Sequence, residues 1–319
     1  VLSSASPMDT GGESRYAASL AAAPRGGSQP EAMTMLDERY IGDGKVLLLA
    51  GGGRIFTDIA ARFVRSEREL EEIAASPYSR DIVRNILSMG HRAALEFDWF
   101  LFGVEGYSRV TEVQLVRKRH ASYLIKSGRA ELKGRRRFSV AYPRRVADFA
   151  ADVTLPDGTA ARLSGRDLAG LSRQWYEAGL AAGLPEEDLR YLKPQATTFK
   201  AIIGMNAHAL LDWFSIRCCR NAQAEIRDLA WKMLRLCRQA APDLFEGAGP
   251  NCVQLGYCPE NALQNAACRG RVLTRDEALA LLREQRKARH MPEPAELAEG
   301  PDGPGGMAPG QSWGEGTRR

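Results

Sequence analysis

The order of its periodic segments constrains the fold of this chain more than any other feature. Segments rich in aromatic and β-branched residues are typical of strands, and they lie at residues 45–50, 97–110 and 138–142. Patterns with helical spacing lie between them and mostly after them: residues 55–67, 79–90, 111–120, 166–183, a long helix or helix pair over 197–218 and 221–240, and 274–289. Because strand and helix do not alternate regularly, the pattern predicts an α+β fold.

The middle of the chain differs in composition from its two ends. Residues 1–36 are rich in Ala, Gly, Ser and Pro, and Gly and Pro interrupt any period after residue 292. We expect residues 1–36 to be disordered, 37–272 to form the main folded domain, and 273–319 to hold a C-terminal helix and a disordered tail. With 44% hydrophobic residues, the chain can bury a proper core.

Charge, hydropathy and cysteine content exclude several classes of protein. A net charge of +5, from 44 basic and 39 acidic residues, is too balanced for a dedicated nucleic-acid binder. The sequence lacks the uninterrupted apolar run of about 18 residues that a membrane-spanning helix needs. Six cysteines without a secretory signal ahead of them indicate a reducing compartment. We therefore expect a cytoplasmic protein without nucleic-acid or membrane partners.

Two local patterns suggest cofactor or metal sites only weakly. Glycines 51–53 follow a strand and precede a helix, as in a dinucleotide-binding loop, but Phe56 occupies the place of the last glycine, which favours an ordinary turn. Cysteine thiolates are preferred zinc ligands, and three of them occur close together: Cys252, Cys258 and Cys268. Their gaps of five and nine residues are not those of a paired-ligand motif, so we predict no metal site.

The helical segment after residue 206 carries two further candidates. His208 and Asp212 are four residues apart and would face each other on a helix, either as an oriented general base or as a structural pair, and the structural pair is favoured. Arg217 is embedded in an apolar run, LLDWFSIRCC. Because burying an unpaired guanidinium is costly, Arg217 should face a partner or a ligand.

The strongest concentration of chemistry is residues 114–129, QLVRKRHASYLIKSGR. Its cations are Arg117, Lys118, Arg119, Lys126 and Arg129. A hydroxyl, a glycine and a guanidinium fork follow one another at Ser127, Gly128 and Arg129, and these are the parts needed to hold a phosphate. Taken alone, the segment predicts an anion site or a plain solvated basic face equally well.

Three ordered blocks carry a family resemblance. Residues 91–109 contain His91, a Leu-Glu pair, Phe-x-Phe and a Ser-Arg end, and residues 117–129 contain Arg-x-Arg, a Ser and a Ser-x-Arg end. Residues 206–227 begin with Asn-Ala and include Arg217 and the sequence Ala-Gln-Ala-Glu-Ile. With their compatible spacing, these blocks resemble the flavin-dependent thymidylate synthases over about residues 45–268.

The resemblance implies both an architecture and a reaction. The fold would be α+β, with a central antiparallel sheet and flanking helices, assembled as a homotetramer whose active sites form where chains meet. The enzyme would bind FAD, accept reducing equivalents from NADPH, take a one-carbon unit from methylenetetrahydrofolate and methylate C5 of UMP or dUMP. It would use no cysteine nucleophile, and residues 37–272 would be its catalytic domain.

The resemblance also implies roles for individual residues. Arg217 would bind the uracil carbonyl edge and Arg117 would lie near both the uracil and the flavin, so these two carry catalysis. The nucleotide-binding residues would be Gln114, Ser127, Gly128, Arg129, Arg190 and Arg217. The flavin-binding residues would be Ser66, His91, Arg117, Lys118, Arg119, Asn206, His208, Asp212 and Asn221. No metal is implied.

Several positions depart from the family signature. These are Lys118, Leu124, Ile125, Ala130, His208 and Asn221, which stand where the family usually has His, polar residues, Tyr, Arg and His. Altered flavin affinity or substrate choice would follow. Three alternatives remain open: a specialised UMP methylase of nucleoside-antibiotic (polyoxin-type) biosynthesis, a housekeeping dUMP-specific enzyme, and an inactive flavin- or nucleotide-binding relative.

Overall fold

A four-stranded sheet is the centre of the structure, a computed structural model that describes residues 37–53, 55–127, 139–260, 266–268 and 270–289. The strands of the described chain are β1 (Glu38–Tyr40), β2 (Lys45–Ala50), β3 (Trp99–Ser108), β4 (Ser122–Ile125), β5 (Val140–Tyr142), β6 (Ala150–Thr154), β7 (Ala160–Ser164) and β8 (Thr198–Asn206). Its α-helices are α1 (Thr57–Phe63), α2 (Leu70–Ala74), α3 (Arg80–Met89), α4 (Arg109–Leu115), α5 (Arg144–Asp148), α6 (Gly165–Ala181), α7 (Glu186–Leu189), α8 (Ala207–Arg217), α9 (Ala224–Ala240), α10 (Pro242–Phe245), α11 (Asn251–Leu255) and α12 (Arg275–Ala288).

The central sheet has the order β2-β3-β8-β4, and every neighbouring pair in it is antiparallel. Two smaller two-stranded sheets accompany it: the parallel pair of β1 with β5, and the β6–β7 hairpin. The predicted α+β class and antiparallel sheet are therefore confirmed. Among the described residues, no helix is both long and apolar enough to cross a membrane.

One face of the central sheet forms the core. Alternate residues of a strand point to opposite faces, and Phe100 and Phe102 of β3 and Ile203 and Met205 of β8 are all buried. Helices α8 and α9 supply the other side of this core, with Phe214 of α8 buried among its apolar side chains. Burial of this apolar face supplies most of the stability that holds the helices on the sheet.

The opposite face of the same sheet is apolar and exposed. The strand register places Leu47, Gly103, Ile202 and Leu124 in one row across all four strands. Leu47 is 64% exposed, Ile202 43% and Leu124 71%. We call this row, with its exposed neighbours Trp99 and Leu101, the outer face. An apolar surface that continues across a whole sheet is typical of an interaction surface.

The sequence prediction was wrong over residues 198–206, which form the strand β8 and not a helix. The segment TFKAIIGMN has its apolar residues on two faces of a central strand, so its hydrophobic run also satisfies helical spacing. Pairing on both sides, with β3 and β4, decided in favour of the strand. Leu124 and Ile125, two of the positions that depart from the family signature, lie in β4.

Most other predicted elements are confirmed. Strands were predicted correctly at β2, β3 and β5, and helices at α3, α6, α9 and α12. Helix α12 begins with the predicted capping box, in which Thr274 and Glu277 bond each other's backbone amide. Helix α1 is shorter than predicted and covers only Thr57–Phe63. Helix α4 begins at Arg109 and ends at Leu115, earlier than predicted.

Two buried carboxylates fix the ends of β3. At its beginning, Asp98 accepts hydrogen bonds from the amide and hydroxyl of Thr57, at 3.0 and 2.6 Å. At its end, Glu225 of α9 accepts hydrogen bonds from the amide of Ser108 at 2.8 Å, from the Ser108 hydroxyl, and from the Thr111 hydroxyl at 2.7 Å. The second carboxylate also lies at the N-terminus of α4, where negative charge is favourable.

Candidate active site

Arg217 is the last residue of α8, and its side chain is partly buried. Burial lowers the pKa of the Arg217 guanidinium, and the nearby positive charge of Arg117 lowers it further. Within the described ranges, neither arginine has a carboxylate partner or a side-chain hydrogen bond. Arg217 is partly buried and Arg117 is exposed, and two cations this close together favour an electron-rich ligand beside them. The two residues predicted to carry catalysis therefore lie within range of each other's charge.

The connection between α4 and β4 is held in place by two neighbours. The Lys118 ammonium forms a close ion pair with Asp212 of α8. The Tyr123 hydroxyl donates to the carbonyl oxygens of Leu115 and Lys118, at 2.8 and 3.2 Å. Burial raises the pKa of Tyr123 above its usual range, so its hydroxyl remains a donor. These contacts fix Arg117 relative to the helix that carries Arg217.

A cavity of about 570 Å³ lies beside β3 and β8. It is strongly cationic, because Glu105 is its acidic residue and its basic residues are Arg39, Arg109, Lys126, Arg190, Lys193 and Lys200. Hydroxyl and amide donors complete the lining at Ser127, Ser139, Gln195, Thr197 and Thr198. A concave site with this charge and these donors is suited to a phosphorylated ligand.

The predicted nucleotide-binding residues are distributed unequally. Ser127 and Arg190 both line the cavity, so the structure brings these two together. Gln114 is on α4, where its amide donates to the carbonyl of Val110 at 3.3 Å, and it is not part of the cavity wall. Gly128 and Arg129 lie outside the described residues.

The predicted flavin-binding residues next to α8 have definite partners. Asn206 caps the helix, accepting a hydrogen bond from the amide of Ala209 at 2.8 Å, which leaves its side-chain NH₂ as a donor. His208 Nδ1 lies 3.2 Å from Glu96 Oε1. His208 and Asp212 were expected to pair with each other on the helix, and this was wrong, because each binds an acidic or basic group from another segment.

The remaining predicted flavin residues lie in separate places. Ser66 lines a crevice of about 270 Å³ together with Arg62, Arg65 and Arg68. Arg119 is exposed on the α4–β4 connection, His91 is exposed before the 3-10 turn Arg92–Phe97, and Asn221 is exposed between α8 and α9. The structure does not gather these into one cavity of a single chain.

The glycines at residues 51–53 and the cysteines are the two weaker sequence patterns. Glycines 51–53 form a turn between β2 and α1, each with positive φ, and β2 pairs antiparallel with β3, as favoured over a dinucleotide-binding loop. All six cysteines are free thiols. Within the described part of the chain, no three His, Cys, Asp or Glu side chains are arranged to hold a metal ion.

Sequence reasoning missed several residues of this region. Arg39 and Lys200 line the cavity, and Glu225 fixes α4 from a position 110 or more residues away in the chain. A signal for Lys200 existed, since a strand alternating in burial would put residue 200 outside the core. Arg39 had no such signal, because its strand is three residues long and pairs with a distant segment.

Comparisons with known proteins agree on one family. The family profile of the Thymidylate synthase complementing protein matches residues 54–243. A flavin-dependent thymidylate synthase of Geobacter sulfurreducens is 36% identical over 213 residues, covering 64% of this chain and 85% of the relative. Another, of Nitratidesulfovibrio vulgaris, is 38% identical over 208 residues, covering 64% of this chain and 79% of the relative.

A solved structure shares the fold. The crystal structure of a UMP/dUMP methylase, PolB from Streptomyces cacaoi, bound with 5-Br dUMP, has a TM-score of 0.52 and 20% sequence identity. The similarity covers 66% of this chain and 96% of that chain. The family profile spans more than half of the present sequence, and the resemblance carried by the three sequence blocks is confirmed. The chain belongs to the flavin-dependent thymidylate synthase family.

Proposed function

We propose that this flavin-dependent C5-methyltransferase acts on a uridine nucleotide, UMP, dUMP or both. Methylenetetrahydrofolate is the carbon donor, and FAD reduced by NADPH supplies the hydride. The catalytic domain spans residues 37–272, and the enzyme works in the cytoplasm. The relatives are named for flavin-dependent thymidylate synthesis, and the structural neighbour is a UMP/dUMP methylase, which supports this choice of substrate class.

The observation that carries the proposal is the pair Arg217 and Arg117. Both guanidiniums lack an acidic partner among the described residues, and the pKa of Arg217 is lowered by burial and by Arg117. Arg117 is exposed, but Arg217 is partly buried, and a structural arginine at the depth of Arg217 would be paired because an unpaired buried charge is costly. A ligand with several carbonyl oxygens would accept hydrogen bonds from both guanidinium groups. The pyrimidine edge of uracil is such a ligand.

This placement suits the chemistry at C5 of uracil. C5 is a weak nucleophile, and negative charge must gather on the ring and its carbonyl oxygens as a bond to carbon forms at C5. A fixed guanidinium at those oxygens stabilises that charge, and one such donor is worth about 3–4 kcal/mol. Arg217 would bind the carbonyl oxygens of the ring. Arg117, which the Lys118–Asp212 pair keeps in position, would contact the same ligand.

The nucleotide phosphate would lie in the cationic cavity. Ser127 and Arg190 line it together, and Lys126 adds a further cation at the same wall. Arginine forks bind phosphate with two parallel hydrogen bonds, and a serine hydroxyl adds a third donor. Gln114, Gly128 and Arg129 complete the proposed nucleotide-binding set.

The residues present fit FAD. Its diphosphate needs cations and donors, and the crevice at Ser66 supplies three arginines over an apolar floor of Ile82, Ile86 and Met89. The Nε of Arg62 is buried there without a hydrogen-bond partner in the described part of the chain, and Asp58 lies 3.8 Å away. The flavin ring presents mainly acceptors, which suit the donors of Arg117, Lys118, Arg119 and Asn206. His91, His208, Asp212 and Asn221 are the remaining proposed flavin contacts.

Self-association to a homotetramer is part of the proposal. The outer face exposes a continuous apolar row across four strands, and a second copy of the chain offers the same surface in return. Because the proposed flavin residues are spread over separate places in one chain, a site completed by a partner copy is consistent with them. Static light scattering on wild type and Leu124→Glu should give a smaller assembly for the variant. An unchanged mass would remove the outer face from the interface.

Substrate preference separates two versions of the proposal. Leu124 departs from the family pattern, but it lies on the outer face and not in the cavity wall, so it does not bear on the nucleotide directly. Within one chain, the position of Leu124 favours neither version, and both the specialised UMP enzyme and the dUMP-specific enzyme remain candidates. An inactive relative that still binds the nucleotide would keep the same two arginines, so it also remains a candidate.

One experiment tests the proposal as a whole. The purified protein should carry a flavin absorbance spectrum that NADPH bleaches under anaerobic conditions. It should then methylate UMP, dUMP or both when methylenetetrahydrofolate is added, measured by mass spectrometry of the nucleotide. A strong preference for dUMP would reject the specialised version. A yellow protein that methylates neither nucleotide would reject the enzymatic proposal.

A further inference from the structure

Arg39 lines the cationic cavity from a strand that the family profile does not include. The profile begins at residue 54, whereas Arg39 is the middle residue of β1, Glu38–Tyr40. In the strand pairing, Arg39 faces Ala141 of β5. The cavity therefore has a cation that comes from outside the matched part of the chain.

The direction of the Arg39 side chain follows from its two neighbours. Alternate residues of a strand point to opposite sides. Glu38 and Tyr40 are both bound by Arg166 of α6, with Nε–Oε1 at 2.8 Å and Nη2–Oη at 3.0 Å. Because both neighbours are tied to α6, Arg39 is turned the other way, toward the cavity.

The cavity wall is shaped to admit this guanidinium. Strand β3 has a bulge between Glu105 and Tyr107, where Gly106 is the extra residue with φ +79°. A Cβ at Gly106 would lie 3.1 Å from Arg39 Nη1 and 3.3 Å from Arg39 Cδ. A side chain at residue 106 would therefore crowd the arginine, in addition to the backbone strain at positive φ.

The charged neighbours of Arg39 are already engaged. Glu105 is bound by Lys200 at 3.1 Å and by Lys45 at 3.6 Å. A hydrogen bond from Lys200, together with the positive charges of Lys200, Lys45 and Arg39, lowers the pKa of Glu105, so this carboxylate is ionised and shared between the two lysines. The Arg39 side chain forms no hydrogen bond or ion pair with any described residue, and its Nε is buried without a partner.

The other cations of the cavity divide into two kinds. Lys200 is paired with Glu105, Arg109 with Glu112 at 3.1 Å, and Lys193 lies 4.0 Å from the ring centroid of Tyr176. The remaining cations form no ion pair and no side-chain hydrogen bond in the described ranges: Arg39, Lys126 and Arg190. A guanidinium with a buried, unsatisfied Nε in such a group is organised for an oxyanion that arrives with a ligand.

We propose that Arg39 is a further ligand of the substrate's phosphoryl group, acting with Arg190 and Ser127 across the cavity, and that the Gly106 bulge makes room for it. The inference rests on the proposed function, because the oxyanion is the 5′-phosphate of the pyrimidine nucleotide. Arg39 thereby sets the preference for a nucleotide over the corresponding nucleoside.

The test compares ligands that differ only in the phosphate. On the FAD-loaded protein, equilibrium titration with UMP and with uridine gives the contribution of the phosphate as a ratio of dissociation constants. Arg39→Met should reduce that ratio about tenfold or more, because a charge-assisted contact is lost while the pyrimidine contacts stay. Arg39→Lys keeps the charge but not the fork, and it should give an intermediate ratio.

A matched control removes an arginine elsewhere. Arg162→Met on the exposed β6–β7 hairpin should leave the ratio unchanged. If Arg39→Met weakens UMP and uridine equally, weakens only methylenetetrahydrofolate, or changes nothing, the proposal is overturned. Should Arg39→Met fail to fold, a wild-type ratio in Arg39→Lys overturns it equally. Failure of the proposed function looks different, since wild type itself would then bind or methylate neither nucleotide.

Discussion

The buried carboxylates and the partly buried guanidiniums of this molecule differ in whether the chain itself satisfies their hydrogen bonds. Glu225 and Asp98 lie deep in the protein, and their oxygens are satisfied by amides and hydroxyls of the same chain. Arg217 and Arg39 are also partly desolvated, yet neither side chain forms an ion pair or a hydrogen bond with a described residue. The carboxylates therefore stabilise the fold, whereas the guanidiniums are available to bind a ligand. Substitutions at the two kinds of group should therefore affect different measurements.

The largest expected effect is on stability, at Glu225. Glu225→Ala leaves the amide and hydroxyl of Ser108 and the hydroxyl of Thr111 buried without an acceptor. We expect the free energy of unfolding to fall by about 4 kcal/mol, measured by urea denaturation. Glu246→Ala, which removes an exposed carboxylate, should cost less than about 0.5 kcal/mol. A loss at Glu225 no greater than the loss at Glu246 would contradict the scaffold role.

The next effect is on turnover, at Arg217. Arg217→Ala should reduce kcat/KM for the nucleotide by about 10²–10³-fold, because a donor that stabilises developing charge is lost. The melting temperature should not fall, because removing the Arg217 guanidinium leaves no described group without its hydrogen-bond or ion-pair partner. Arg220→Ala provides the control, because this exposed arginine lies one turn beyond α8. A stability loss with normal turnover would make Arg217 a scaffold residue like Glu225.

The sequence predicted the individual strands and helices better than the long-range contacts between them. Strand and helix periods identified β3, α6 and α9, because each has one dominant apolar pattern. They failed at β8, where pairing on both sides overrides a pattern that is also compatible with a helix. Family resemblance pointed to Arg217, whereas Arg39 depended on a parallel pairing between β1 and β5, about 100 residues apart. Such long-range contacts are not encoded in any local period.

A middle case is Lys118, a cation that does have a partner. Asp212→Asn keeps the shape of the side chain but removes the negative charge that holds Lys118. Because the pair is partly exposed, we expect a loss of about 1 kcal/mol, or about fivefold in kcat/KM. A reversed pair, Lys118→Asp with Asp212→Lys, should recover part of the loss if the contact only positions Arg117.

The reversed pair also separates positioning from direct binding. Flavin content, read from the absorbance spectrum, should stay near wild type if the pair acts by holding the α4–β4 connection. If flavin is lost in both the single and the reversed variants, Lys118 or Asp212 contacts the cofactor directly. Lys118 would then belong with Arg217 in the comparison and not with the carboxylates that hold the scaffold.

The smallest effect concerns an exposed carboxylate that does the same work as Glu225 at the surface. Asp167 caps α6, accepting from the amide and hydroxyl of Ser164 at 2.8 and 2.6 Å. These hydrogen bonds lower the pKa of Asp167 below its ordinary value, so its stabilisation is present above the unfolded pKa and is lost as pH falls through the folded one. The melting temperature of Asp167→Asn should lie slightly below that of wild type at pH 7, and the difference should close below about pH 4. A difference in melting temperature that persists in acid would show that the cap does not depend on the charge of Asp167. The carboxylates and the guanidiniums of this molecule would then differ in burial alone.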